Sequence, residues 1–205
     1  MIFSKNNFRG EEMKYDLNQK IKRGAQRTLA AFSSAMYELL AKKAYDDISI
    51  NEICQVSNFP RATFYNYFDD KNDLLNYCWF LLKKESKIEE YQDISDEELQ
   101  EYLLRQIFKT MYRHQELLTQ LSKNNVPGST IIVNLYEYFK NEAINILRDR
   151  LADRKETKLP IELIAEHYSN TILLVLKWIF LEGHPLTQTE AMEYVNRLLL
   201  QPEKC

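Results

Sequence analysis

Glycine and proline are scarce. Four glycines and five prolines interrupt 205 residues, and no run of alternating apolar and polar residues flanked by turn formers stands beside them. A hairpin-rich sheet protein is thereby excluded, and the chain is read as all-α. Cysteine is equally sparse: Cys54, Cys78 and Cys205 follow no spacing pattern, which fits reduced thiols in a cytoplasm and excludes a disulfide framework. Long apolar runs are missing as well. The stretch around Trp178 falls short of the roughly 20 apolar residues that cross a bilayer, so no membrane partner is expected. The opening Met1 to Phe8 is too short and too polar for a signal peptide.

The sequence also lacks the signatures of catalysis. There is no Gly-x-Ser-x-Gly elbow, no phosphate-cradling glycine loop and no His-Glu-x-x-His pattern. His114, His167 and His184 are scattered, and Glu162, Glu166 and His167 share a helix without forming a convincing ligand set. No catalytic residue, metal or cofactor is expected.

Acidic residues are absent between Asp16 and Glu38, which leaves Lys20, Lys22, Arg23 and Arg27 unopposed. Up to Lys87 the chain has 14 basic and 11 acidic residues, against 13 and 19 beyond it. A weakly basic front and an acidic rear suit one nucleic-acid face and one domain with another task, although a solvated basic helix end would give the same local pattern. At this length the chain forms one or two domains with a substantial core.

Ala25, Leu29, Phe32, Met36 and Leu39 recur at helical spacing and predict an amphipathic first helix. Ser49 followed by Glu52 has the spacing of a capping box, so a second helix starts near Ile50. Ser57 and Asn58 form turns and Pro60 cannot sit inside a helix, so that helix is short. A third runs from about Pro60 to Tyr67, and the pair is a helix-turn-helix. Its first residues suit a DNA groove. Arg61 can donate twice to a guanine edge or once to a phosphate, Ala62 and Thr63 lie beside it, and Asn66 suits adenine or a phosphate oxygen. Tyr65 and Tyr67 offer phenolic donors, while Phe64 and Phe68 face the core. Asp70 and Asp73 are expected to cap the next helix, with Lys71 in its first turn as a phosphate ligand.

These residues resemble the DNA-binding module of the tetracycline-repressor (TetR) family. The matching positions are Ser49, Ile53, Thr63, Phe64, Tyr65, Tyr67, Phe68, Lys71 and Leu74. The resemblance implies phosphate binding by Ser49, Tyr65, Tyr67 and Lys71 and groove contacts by Arg61, Ala62, Thr63 and Asn66, with Arg27 at the basic start of the first helix. Asn58 replaces the usual turn glycine, Cys54 the usual alanine, and Pro60 the usual hydroxyl cap, a loss of about 1 kcal/mol. The implied partners are a double-stranded DNA operator, a second copy of the chain and a small-molecule effector, and the implied output is repression. A dimeric helical regulator or interaction protein controlled by a protein partner, with activation as its output, is the alternative reading.

Residues 1–19 are read as an N-terminal extension, 20–70 as the helix-turn-helix domain and 71–205 as a helical effector-binding and dimerisation domain. Arg9-Gly10-Glu11-Glu12 just before Met13 can be encoded by purine-rich codons resembling a ribosome-binding site, so Met13 is one expected start, the rival reading being a flexible arm that touches the minor groove. Beyond the helix after Lys71, further helices are expected near Asp96 to Leu121, Ser129 to Leu151, Pro160 to Leu181 and Thr187 to Leu200. Tyr102, Phe108, Tyr112, Tyr136, Phe139 and Tyr168, with Tyr138, either line an effector cavity or are simply core. Ile172, Val175, Leu176, Ile179 and Phe180, with Val195 and Leu199, are expected at a two-fold dimer interface, the alternative being a monomer's central helix. Such a dimer sets two recognition helices about 34 Å apart, one turn of B-DNA.

Overall fold

A computed structural model describes residue 14 and residues 22–126, 128–151, 159–180 and 182–200. The extension over 1–19, except residue 14, lies outside that set, as do Lys20, Met13 and Cys205. Among the described residues all regular structure is helical: α1 (Arg23–Leu40), α2 (Ile50–Ser57), α3 (Arg61–Tyr67), α4 (Lys71–Ser86), α5 (Asp96–Arg113), α6 (Gln115–Asn124), α7 (Thr130–Leu151), α8 (Ile161–Phe180) and α9 (Gln188–Leu200). Two 3₁₀ turns, Tyr45–Asp47 and Ile88–Tyr91, join them.

The stripe predicted on α1 is its buried face, with Leu29, Phe32, Met36 and Leu39 all inside. Phe32 is the hub of the front core, its ring 5.6 Å from Phe59, 5.3 Å from Phe64 and 6.0 Å from Phe68. These rings sit at aromatic pairing distances, so α1 and the turn between α2 and α3 are fixed to one another. α4 continues the same core through Leu74, Leu75, Cys78, Trp79 and Leu82, and Leu121 of α6 and Ile131 of α7 complete it. A second core gathers α5, α7, α8 and α9 around Phe108, Ile146, Val175, Ile179 and Val195.

One expected helix divides. The run from Asp96 to Leu121 breaks at His114, whose φ of −101° and ψ of 20° end α5 before α6 begins. Neither glycine nor proline marks the place. Glu85 of α4 binds Arg113 and also meets His114 Nε2 at 2.8 Å, holding both sides of the corner. The later helices start one residue past the expected positions, after Ser129, Pro160 and Thr187. Before α9, the Thr187 hydroxyl accepts from the Glu190 amide at 3.3 Å while the Glu190 carboxylate accepts from the Thr187 amide at 2.7 Å, another reciprocal cap.

Side chains from the rear helices reach into the front. Asn125, at the end of α6, accepts the Tyr45 amide at 2.9 Å and donates to the Leu121 carbonyl at 2.8 Å. Asn124 donates to the Leu40 carbonyl at 3.3 Å. Asn134 of α7 accepts the Trp79 indole N–H at 2.6 Å.

Candidate nucleic-acid interface

α2 begins as its sequence dictates. The Ser49 hydroxyl accepts from the Glu52 amide at 3.3 Å, and the Glu52 carboxylate accepts the Ser49 amide at 3.0 Å. Lys43 sits 2.5 Å from the same carboxylate, and this ion pair, followed by the Ser49 amide and hydroxyl, holds Glu52 down at about 2. Asn58 ends the helix in the left-handed region at φ 58° and ψ 35°, the conformation for which the position needs a glycine or an asparagine. Burial raises the Cys54 thiol, which fits the small core residue expected there.

Pro60 is the residue before α3 rather than its first turn, and it supplies no side-chain cap. Its carbonyl accepts from the Thr63 and Phe64 amides at 2.9 and 3.2 Å. Phe64 and Phe68, buried against Phe32, set the rotation of the helix. Arg61, Ala62, Tyr65 and Asn66 are consequently exposed together, while Thr63 and Tyr67 are half-buried at the edges of that face. The Arg61 guanidinium donates to Asn51 Oδ1 at 3.0 Å and to the Tyr65 hydroxyl at 3.0 Å. Both partners are neutral, so the full positive charge remains available to an anion. Lys22, Arg23 and Arg27 are exposed at the start of α1 and make no ion pair among the described residues.

Asn51 is a residue that the sequence reading missed. It stands two residues after the Ser49 cap on the outer face of α2 and orients Arg61, and the signal was available: Asn51 and Gln55 are the polar positions of α2 left outside by Ile53 and Cys54.

Lys71 is a correction. Its ammonium donates to the carbonyls of Tyr45, Asp46 and Ile48 at 3.0, 3.1 and 3.0 Å and lies 4.6 Å from the centre of the Tyr45 ring. An ammonium has three donors, and all three are used. Lys71 therefore closes the 3₁₀ turn against the start of α4 instead of offering donors to a phosphate. The cap of α4 is Asp70, which accepts the Asn72 and Asp73 amides at 2.7 and 2.9 Å. Asp73 is buried and turned the other way, accepting the Asp69 and Lys14 amides at 3.1 and 3.2 Å.

The rear expectations divide. A cavity of about 350 Å³ lies between α5, α7 and α8, and Phe139 and Tyr168 line it. Tyr102, Phe108, Tyr112 and Tyr136 do not. Phe108 is fully buried in the second core. Tyr102 donates to the Lys87 carbonyl at 2.9 Å, Tyr112 to the Leu186 carbonyl at 2.6 Å, and Tyr136 points to Glu166 at 3.4 Å. Tyr138 borders a smaller recess beside Trp79 and Lys83.

The expected interface residues also move inward. Val175, Leu176, Ile179 and Val195 are buried within the protomer, Ile172 and Leu176 form cavity wall, and Phe180 packs on Tyr112 at 5.5 Å between ring centres. Leu199 is half-buried in the same core. A stripe spaced three and four apart marks one face of a helix, and here that face belongs to the protomer's own core. On these two helices the large apolar side chains left in solvent are Leu163, Leu174 and Trp178 of α8 and Tyr194 and Leu198 of α9. Among the described residues no cluster of three or more His, Cys, Asp or Glu could hold a metal, and no helix is long and apolar enough to cross a membrane.

The family model described as "Bacterial regulatory proteins, tetR family" matches residues 34–78, from within α1 to within α4. The chain is 36% identical over 52 residues to the HTH-type dhaKLM operon transcriptional activator DhaS of Lactococcus lactis subsp. lactis (strain IL1403). That match covers 25% of this chain and 28% of the relative, little more than a quarter of each. Over most of its length the fold is similar to that of a TetR transcriptional regulator from Streptococcus agalactiae 2603V, with a TM-score of 0.58, 20% identity, and coverage of 85% of this chain and 94% of that one. It is similar also to the dihydroxyacetone kinase operon activator DhaS, with a TM-score of 0.52, 21% identity, and coverage of 84% and 94%.

Proposed function

From the match of residues 34–78 to the tetR family of bacterial regulatory proteins, we propose that the chain is a homodimer that reads a palindromic operator with α3 and is released by a small ligand held among the rear helices. The observation that carries this reading is the outer face of α3. Arg61, Ala62, Tyr65 and Asn66 share it, and the exposed cations at the start of α1 make no ion pair among the described residues. Charged donors fix a protein's register on the duplex and side chains at the start of the helix read base edges.

Pairing through the outer faces of α8 and α9 gives Leu163, Leu174, Trp178, Tyr194 and Leu198 an occupant, a second copy of the same faces. Release by a ligand requires that it bind the free and the DNA-bound shapes with different affinity. The cavity walled by α5, α7 and α8 supports that part of the reading.

Fluorescence anisotropy with duplexes tiled across the promoter beside the protein's own gene tests it. The expected result is tight, salt-sensitive binding to one fragment with two-fold sequence symmetry, lost in Arg61→Ala; equal binding to every fragment contradicts it. A second reading, activation of transcription, is favoured by the Lactococcus relative, which is an operon transcriptional activator. In-vitro transcription from the bound fragment separates the two, since added protein lowers the transcript in one case and raises it in the other.

A further inference from the structure

The cavity between α5, α7 and α8 is walled mostly by aliphatic side chains, and its few polar groups differ in whether they have partners. Tyr168 and Gln100 satisfy each other, the phenol donating to Gln100 Oε1 at 3.3 Å while the Gln100 amide donates to Asn196 Oδ1 at 2.9 Å. Ser169 is another matter. It is 4% exposed and lines the cavity, yet its hydroxyl has no hydrogen-bond partner among the described residues. A serine within a helix commonly bonds back to a carbonyl of the preceding turn, and Ser169 makes no such bond.

Glu142 is the second such group. It is 8% exposed and reaches the cavity wall, and one of its oxygens meets Lys83 at 2.7 Å. No described residue donates to the other oxygen. Lys83 also pairs with Glu89 at 2.9 Å, so one ammonium stands between two carboxylates. Burial raises the Glu142 carboxyl and Lys83 pulls it back. Burial opposes the charge on Lys83, but its two carboxylates outweigh that and raise its pKa, so the ammonium stays charged. Lys83 thus faces two carboxylates, and among the described residues Glu142 is the one carboxylate on the cavity wall, where the Tyr168 phenol is the other ionisable group.

We propose that this cavity binds a lipophilic amine, its protonated nitrogen donating to the free oxygen of Glu142 and to the Ser169 hydroxyl, and its apolar body lying along Leu103, Ile107, Ile146 and Ile172. A volume of about 350 Å³ suits a small ligand. A cation leaving water needs a paired charge at its destination, and Glu142 supplies it. A carboxylate of the same size meets Glu142 as a like charge, and the one nearby ammonium is already shared. The assignment deepens the reading of the rear helices as the effector unit and rests on it only for its regulatory meaning.

Isothermal titration of the full-length protein without DNA, using decylamine, decanol and decanoate, varies the head group on a constant chain. Decylamine is expected to bind about tenfold more tightly than decanol, with decanoate weaker still. Glu142→Gln should bring amine and alcohol to within about twofold of each other. Ser169→Ala, which removes no hydrogen bond made among the described residues, should weaken decylamine about threefold at an unchanged melting temperature. Ala143→Phe fills the cavity and should abolish binding of all three. Decanoate binding as tightly as decylamine, or decylamine binding undiminished in Ala143→Phe, overturns the proposal. If the amine binds as expected while no promoter fragment is recognised, the regulator reading fails and the site stands. Specific DNA binding without amine preference sinks the site alone.

Discussion

The helix-turn-helix region and the α7–α9 region are built from the same apolar residue types at the same helical spacings, but their functional faces are fixed differently. In the front, Phe64 and Phe68 pack on Phe32 within one small core, so burying them determines that Arg61, Ala62, Tyr65 and Asn66 face outward. In the rear, α8 has apolar residues on both sides. Val175, Leu176 and Ile179 face the protomer's core, and Leu174 and Trp178 face away. One apolar side chain predicts burial; two opposed apolar stripes predict that something else must cover the second.

Substitutions that strike one region and spare the other sharpen this contrast. Phe32→Ala has the largest expected effect: it removes the hub of the front core at a cost of about 3–5 kcal/mol, read by urea denaturation, and abolishes operator binding. Joint replacement of Leu174 and Trp178 by glutamate should leave the protomer folded, convert the dimer to a monomer in sedimentation, and weaken operator binding about a hundredfold or more by removing bivalence. A dimer that persists in that variant places the partner on another face.

Lys71→Met comes next. It strips a donor from three carbonyls and is expected to cost about 1–3 kcal/mol of stability. Its salt dependence discriminates between two roles: a positioning lysine leaves the slope of log affinity against log salt unchanged, whereas a phosphate ligand lowers it by about one contact. Arg61→Ala should cost about 1–3 kcal/mol of operator affinity and relax base preference at one position, without a change in melting temperature. Replacing Asn51 with alanine tests whether that preference depends on the guanidinium being held in place.

The smallest effect concerns acid. Lys43, with the Ser49 amide and hydroxyl, lowers the Glu52 carboxyl from its ordinary 4.5 to about 2. A carboxyl depressed on folding stabilises fully above pH 4.5, and the contribution fades as pH falls toward 2. Because Glu52 is exposed, solvent screens the effect. Glu52→Gln should remove only this acid limb from a stability profile measured between pH 2 and 6.

What the sequence disclosed follows the range of each interaction. The Ser49–Glu52 cap, the left-handed Asn58, the stripe of α1 and the inward Phe64 and Phe68 are set within a few residues, and each is present in the structure. Lys71 looked like a phosphate ligand because its partners, the Tyr45, Asp46 and Ile48 carbonyls, come from a turn more than 20 positions earlier. The break at His114 was invisible because Glu85, on another helix, holds it. Aromatic content pointed to the wrong cavity lining, since Phe139 and Tyr168 were the only two of six there and aliphatic residues make most of the wall.

The hydrogen bond from Tyr45 to Asn125 has a thermodynamic consequence. If residues 22–86 were excised, that amide would be left without its acceptor at the edge of an apolar interior, and Leu121 and Ile131 would be stripped from the same core. An orphaned buried donor and a lost wall together rival a small domain's whole margin of stability. The part proposed to meet DNA and the part proposed to hold a ligand are thus separable in task but not in melting: heat or urea should take both down in one cooperative transition, with tyrosine and tryptophan signals superimposed.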